Sequence, residues 1–179
     1  ILAKGLVIFF PNNFYSTFLL SHAIYIKDKS NGQGGDDKIN GKSGNDYLRG
    51  GAGNNTLNGG AGDDTLSTKD SSGDNLLSGG DGNDYLDFFA SSGKNTLNGG
   101  AGDDALTGWN ASGDNLLFGG DGNDFLDLSY SHGKNTLNGG AGDDTLTGFN
   151  SHSEGYNLLF GGDGNDSLDF SYSDGKNTL

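Results

Sequence analysis

At 179 residues the chain has the length of one domain or slightly more, yet only 31% of it is apolar and 35 residues are glycine, a composition that ordinarily gives a disordered polymer. A net charge of −14 opposes binding to nucleic acid or to an anionic membrane surface. There is no cysteine, so disulfides and thiolate metal sites are excluded.

Residues 1–31 differ from all that follow. Two apolar runs, Ile1 to Phe10 and Phe14 to Ile26, are split by Pro11-Asn12-Asn13, and each is too short to span a bilayer. No small-residue cleavage site accompanies them, which argues against a signal peptide. The segment is expected to form strands that cap the first coil of a repeat array and hide its open edge. A remnant of a preceding domain is the alternative.

At Gly32 the chain becomes periodic. Residues 32–67 are four unbroken nonapeptide units, GQGGDDKIN, GKSGNDYLR, GGAGNNTLN and GGAGDDTLS, and two such units make one coil. Gln33 and Lys42 stand where later units have a second glycine, and Asn55 where they have aspartate. From 68 to 179 the coil lengthens to nine plus two plus nine. One nine is the full sentence Gly-Gly-x-Gly-x-Asp-x-Leu-x, which begins at Gly59, Gly79, Gly99, Gly119, Gly139 and Gly161, the last after a slightly longer step. A period this regular predicts a solenoid.

The other nine is degenerate: DSSGDNLLS at 70–78, ASSGKNTLN at 90–98, NASGDNLLF at 110–118, YSHGKNTLN at 130–138, HSEGYNLLF at 152–160 and the truncated YSDGKNTL at 172–179. These units keep the fourth glycine and the leucine but lose the leading glycines and carry asparagine at position six. A roll with two unlike edges follows, and Asn75, Asn95, Asn115, Asn135, Asn157 and Asn177 are expected to form a hydrogen-bonded ladder along the second. The inserted residues are often aromatic, at Phe88, Phe89, Trp109, Phe149 and Phe170 with Tyr130 and Tyr172 nearby. They are expected to fill the interior at that edge; an exposed carbohydrate-stacking row is the competing idea. Full sentences alternate between GAGDD and GDGND, which makes the true repeat two coils long.

Each position of the full sentence has a physical task. Glycines one, two and four permit the positive φ of a sharp turn that gathers carbonyl oxygens, and the aspartate adds a carboxylate to them. Leucine at position eight sits at the centre of a short strand and points inward. Ile39 and 14 leucines from Leu48 to Leu179 occupy such positions. Mixed carbonyl and carboxylate oxygens suit a hard cation, Ca²⁺ more than Mg²⁺. Stacking also sets position-six carboxylates about 4.8 Å apart, where two charges repel by about 3.5 kcal/mol at an effective dielectric near 20. A cation reverses that term, so the metal-free roll is expected to be loose or unfolded.

The sentence resembles the repeats-in-toxin (RTX), or haemolysin-type, calcium-binding nonapeptide family, and degenerate copies extend the resemblance from Gly32 to Leu179. The resemblance implies an all-β, right-handed parallel β-roll (β-solenoid) of 18- to 20-residue coils with calcium in the turns. It implies as metal residues Asp37, Asp46, Asp64, Asp84, Asp104, Asp124, Asp144 and Asp166. With them go the turn glycines Gly59, Gly60, Gly62, Gly79, Gly80, Gly82, Gly99, Gly100, Gly102, Gly119, Gly120, Gly122, Gly139, Gly140, Gly142, Gly161, Gly162 and Gly164. It also implies a secreted or cell-surface protein, exported unfolded and folding where calcium is plentiful.

Rival chemistries fail on spacing. In Asp121-Gly122-Asn123-Asp124 the chain continues to Phe125 and Leu126 where an EF-hand needs an acid or amide and then glycine. Before Gly41-Lys42-Ser43 the preceding glycine, Gly35, is one residue too far back for a phosphate loop. No GxSxG or HExxH occurs, and His22, His132 and His152 lie in unlike contexts, so no catalysis is expected. Positions three and five are Ala61 and Asp63, then Asp81 and Asn83, which lack the outward threonine row that ice binding would need. The expected function is a calcium-folded structural or presenting module, with an adhesive or self-assembling fibre module, paired end to end or through strand edges, as the alternative.

Overall fold

A computed structural model describes residues 29–149, 152–172 and 174–178. Among these residues every regular element is a strand, and none is a helix long and apolar enough to cross a membrane. Each coil contributes one short and one long strand. The short ones, β1 (Lys29–Asn31), β3 (Tyr47–Arg49), β5 (Thr65–Ser67), β7 (Tyr85–Asp87), β9 (Ala105–Thr107), β11 (Phe125–Asp127), β13 (Thr145–Thr147) and β15 (Ser167–Asp169), stack as one eight-stranded parallel sheet. The long ones, β2 (Lys38–Ser43), β4 (Thr56–Ala61), β6 (Asn75–Asp81), β8 (Asn95–Ala101), β10 (Leu116–Asp121), β12 (Thr136–Ala141), β14 (His152–Asp163) and β16 (Asp174–Thr178), form the other. The chain is thus an all-β parallel solenoid, as its period predicts.

Register follows the repeat. Leu48 pairs with Leu66 across one of the shorter coils, and Leu66 with Leu86 across a longer one. The extra length before Gly161 is absorbed between Leu137 and Leu159, which still face each other. Leucines at position eight from Leu48 to Leu159 are at most 1% exposed, whereas Ile39 and Leu168, near the two ends, are only partly buried. Leu179 lies outside the described residues, as do residues 1–28 of the N-terminal flank; the last three residues of that flank form β1, which pairs with β3.

Two features differ from the sequence reading. A short strand centred on each leucine describes one sheet alone. On the other sheet β6 runs on from Asn75 to Asp81, because Gly80 and Asp81 continue the ladder toward Gly100 and Ala101 before the chain turns. The aromatic insertions also divide. Phe88 is fully buried and Phe170 partly so, each over a coil whose matching residue is glycine: a β-carbon on Gly108 or Gly148 would run into the ring of Phe88 or Phe170. Phe89, Trp109, Tyr130, Phe149 and Tyr172 instead form a continuous outer column, with ring centroids 5.2 to 5.7 Å apart, parallel between Phe89 and Trp109 and edge-to-face from there on. Rings set one strand spacing apart along an axis find their best partners in one another, and Lys69 covers Phe89 with its ammonium 4.5 Å from the ring centroid.

Candidate metal centre

The turn between β4 and β5 shows how one corner is built. Gly60 and Gly62 take φ of 117° and 121°, which L side chains rarely adopt. Gly59 differs from the sequence expectation: its φ is not positive, and glycine is needed there for space. A β-carbon on Gly59 would lie 2.7 Å from the carbonyl oxygen of Gly79 and overlap Oδ2 of Asp64. The same cradle recurs one coil on, where Gly79 faces Asp84 Oδ2 and the Gly99 carbonyl.

Position-six aspartates line the inside of this edge, buried to 3% exposure or less from Asp46 to Asp144. Each carboxylate has one satisfied oxygen. The backbone N–H of Asp64 donates to Asp84 Oδ1 at 2.7 Å, that of Asp84 to Asp104 Oδ1 at 2.7 Å, and that of Asp104 to Asp124 Oδ1 at 2.8 Å. The chain of bonds continues through Asp144 to Asp166. The other oxygen, Oδ2 of Asp64, Asp84, Asp104, Asp124 and Asp144, is buried with no hydrogen-bond partner. An unpaired buried carboxylate oxygen is costly, so a cation or a proton is called for at each corner. Burial pushes Asp84 and Asp124 up to about 7 and Asp64 and Asp104 up to about 6, with neighbouring carboxylates adding to the rise and the backbone N–H bonds opposing it.

The opposite edge solves the same corner with an amide. Asn55 Nδ2 donates to the carbonyls of Gly51 (3.2 Å) and Gly53 (3.1 Å) and to Asn75 Oδ1 (3.1 Å). Asn75, Asn95, Asn115 and Asn135 each donate Nδ2 to the next asparagine up the column, ending on Asn157, and to the glycine carbonyl two residues before them. The expected ladder is present, with Asn55 as an additional member; the side chain of Asn177 lies outside the described residues. An aspartate in this corner puts an oxygen where asparagine puts a nitrogen with two hydrogens. That oxygen then faces other oxygens, which is the donor set a hard cation requires.

Outside the buried columns, the two edges carry different charge. At position five of the aspartate edge Asp63, Asp103 and Asp143 alternate with Asn45, Asn83, Asn123 and Asn165, joined by backbone N–H to side-chain bonds such as Asn123 to Asp103 Oδ1 at 2.7 Å. Position three alternates in the opposite phase, with acids at Asp81, Asp121 and Asp163. The two-coil repeat therefore keeps like charges in any one outer column about 9.6 Å apart instead of about 4.8 Å. The matching column of the other edge, Asp74, Lys94, Asp114 and Lys134, alternates in sign. Asp37 is the exception on that side. It lies in the asparagine column, its N–H donating to Asn55 Oδ1, yet its Oδ2 is buried without a hydrogen-bond partner beside Gly32.

Among the described residues no three histidine or acidic side chains are placed to hold one metal ion together, so a cation here would draw most of its ligands from carbonyl oxygens. Comparison with known families matches residues 31–66, 69–88, 87–110, 111–129, 133–152 and 153–171 to the RTX calcium-binding nonapeptide repeat (4 copies). The chain belongs to this RTX repeat family. No curated protein matches it. RTX calcium chemistry suits the corners described here, since glycine-lined oxygen cradles with one carboxylate per coil are what the aspartate edge supplies. The asparagine edge of this RTX roll has the amide in place of the carboxylate. Neither buried column contains a histidine, and His132 is exposed on a loop.

Proposed function

We propose that this RTX roll is the calcium-folded structural part of a secreted or cell-surface protein, one that orders on meeting calcium and presents or spaces what adjoins it. The cations would lie along one edge, held by Asp46, Asp64, Asp84, Asp104, Asp124, Asp144 and Asp166 with carbonyl oxygens of the turn glycines. One further cation would sit at Asp37. Bound calcium supplies the positive charge that offsets a column of carboxylates one strand spacing apart, and because the corner exists only in the folded coil, binding adds to folding free energy. Export in an unfolded state follows from the same dependence, and a chain without cysteine carries no disulfide to obstruct it.

The observation that carries this reading is the contrast between the two edges: Oδ2 of Asp84 is buried and unpartnered where Nδ2 of Asn95 makes two hydrogen bonds. The test is a calcium titration of the full chain followed by circular dichroism. Calcium should produce the β-sheet signal, magnesium should not, and Asp84→Ala and Asp124→Ala should each shift the midpoint to higher calcium. A β-sheet signal that is complete in chelator and indifferent to these substitutions would refute it.

A further inference from the structure

Asparagine followed by glycine occurs five times in the sequence, at Asn31-Gly32, Asn40-Gly41, Asn58-Gly59, Asn98-Gly99 and Asn138-Gly139. Every one of these glycines opens a corner that holds an aspartate. A β-carbon on Gly32, Gly41, Gly59, Gly99 or Gly139 would overlap Oδ2 of Asp37, Asp46, Asp64, Asp104 or Asp144 respectively, so no other residue fits there. The remaining corners of the aspartate edge are entered through Ser78-Gly79, Phe118-Gly119 and Phe160-Gly161. The missing β-carbon that makes room for the carboxylate also leaves the glycine nitrogen unhindered as a nucleophile toward the side-chain amide before it.

In a mobile chain such a step is chemically short-lived. Base removes the proton of the glycine N–H, the nitrogen attacks Cγ of the asparagine, and the bond from Cγ to Nδ2 breaks with release of ammonia. Water then opens the resulting succinimide at either carbonyl, leaving aspartate or, where the backbone now runs through Cβ and Cγ, isoaspartate; no oxidant or reductant is needed. Ring closure requires Cβ and the glycine nitrogen to lie nearly eclipsed about the Cα–C bond, and a strand with ψ near +115° to +135° holds them more than about 100° apart. Asn40, Asn58, Asn98 and Asn138 lie inside β2, β4, β8 and β12, with pairing on both sides of the step, as Asn58 with Ser78 and Gly60 with Gly80. Asn31 ends β1, and the N–H of Gly32 donates to the carbonyl of Arg49 at 2.8 Å. Asn31, Asn40 and Asn98 are exposed and Asn58 and Asn138 half-buried, so the backbone protects these steps and burial does not.

We propose that the five steps are deamidation sites locked by the folded roll, so that calcium shields the chain from a modification that disables the same corners. The shielding rests on the calcium reading. Isoaspartate adds one carbon to the main chain between an inward residue such as Leu57 and the cradle glycine, which throws the following turn out of register and carries the glycine away from its carboxylate. A chain kept without calcium thereby loses its capacity to bind it, whereas the corners entered through Ser78, Phe118 and Phe160 have no such step.

The test holds the full chain in warm, mildly alkaline buffer with calcium, with chelator, or with chelator and urea, and maps it by peptide mass spectrometry with isoaspartate detection. In chelator the five peptides should gain the mass difference between amide and acid, ahead of the asparagines followed by larger residues; in calcium the gain should be about tenfold slower or more. After ageing in chelator the chain should recover less β-sheet ellipticity on adding calcium than a fresh sample, in proportion to its isoaspartate. The variant Asn58→Ser/Asn98→Ser/Asn138→Ser copies the Ser78 step; it should fold with the parent's calcium midpoint and keep more of its response through the same ageing. Equal rates in calcium and chelator, when ellipticity shows the roll in calcium alone, would overturn the proposal. So would an isoaspartate-bearing chain that folds at the parent's midpoint, or a triple variant that ages like the parent. Slow modification in chelator beside a full β-sheet signal there would count against the calcium reading alone, since urea should still release the steps; no release in urea overturns the lock itself.

Discussion

Replacing Asp104 by asparagine converts one corner of the aspartate edge into the corner used by the other edge. The Oδ1 atom survives, so the bonds from Asp84 N–H (2.7 Å) and to Asp124 Oδ1 (2.8 Å) are kept. Nδ2 replaces the unpartnered Oδ2 and, by the precedent of Asn95, donates to the carbonyl of Gly102 and to the side chain above, as Asn95 does to Gly93 at 2.8 Å and Asn115 at 3.0 Å. Two repulsions, with Asp84 and Asp124, vanish; each is about 3.5 kcal/mol at an effective dielectric near 20 and less in salt. Two buried hydrogen bonds add about 1 kcal/mol each. Asp104→Asn should therefore stabilise the metal-free roll by up to about 9 kcal/mol before screening, and by several kcal/mol in salt, while removing a carboxylate from calcium. The signs are opposite in the two states. In chelator the variant should need less of an osmolyte such as trimethylamine N-oxide to gain β-sheet ellipticity; in calcium it should need more metal to saturate. Asp104→Ala, which also loses Oδ1 and leaves the Asp84 N–H without its acceptor, should gain less than Asp104→Asn in chelator and, like it, need more calcium than the parent. A metal-free asparagine variant no more stable than the parent, or an unchanged calcium midpoint, would refute the reasoning.

Acid should act in the same sense as calcium, though more weakly. Asp84 and Asp124 are raised to about 7 and Asp64 and Asp104 to about 6 from 3.8. The folded state thus holds these protons more tightly than the unfolded chain, so their destabilisation is absent below about pH 4, grows as pH rises and is complete above about pH 7. In calcium-free buffer, ellipticity should rise as pH falls from about 8 toward 5, and the calcium midpoint should move to higher metal over the same range because protons compete; ellipticity that falls on mild acidification would contradict this. Gly79→Ala places a β-carbon 2.6 Å from the Gly99 carbonyl and against Asp84 Oδ2, so calorimetry should count about one calcium fewer, whereas a change at the surface would leave the count intact. Gly108→Ala drives a methyl into the ring of the buried Phe88 and should cost about 1 to 3 kcal/mol in calcium-saturated urea unfolding, partly restored by Phe88→Leu.

Periodicity made much of this protein readable in one dimension. Because the coils recur at a nearly constant spacing, position in the sentence is position in space: the position-eight leucines from Leu48 to Leu159 point inward, the strands run parallel, and Asn75 to Asn157 line one edge. The distinction between an edge of buried aspartates and an edge of asparagines is likewise chemical and local, and needs only the residue at position six. What the chain alone left open depends on the residue one coil away, distant in sequence and one strand spacing off in space. Gly108 is glycine because Phe88 leans over it, Gly59 because Asp64 and Gly79 crowd it, and Phe89, Trp109 and Tyr130 pack outside because each is the next one's neighbour. The alternation of Asp103 with Asn83 and Asn123 has its reason in the same vertical contact. A repeat unit specifies its own fold and its own ligands; only stacking decides which side chains must give way to the coil above.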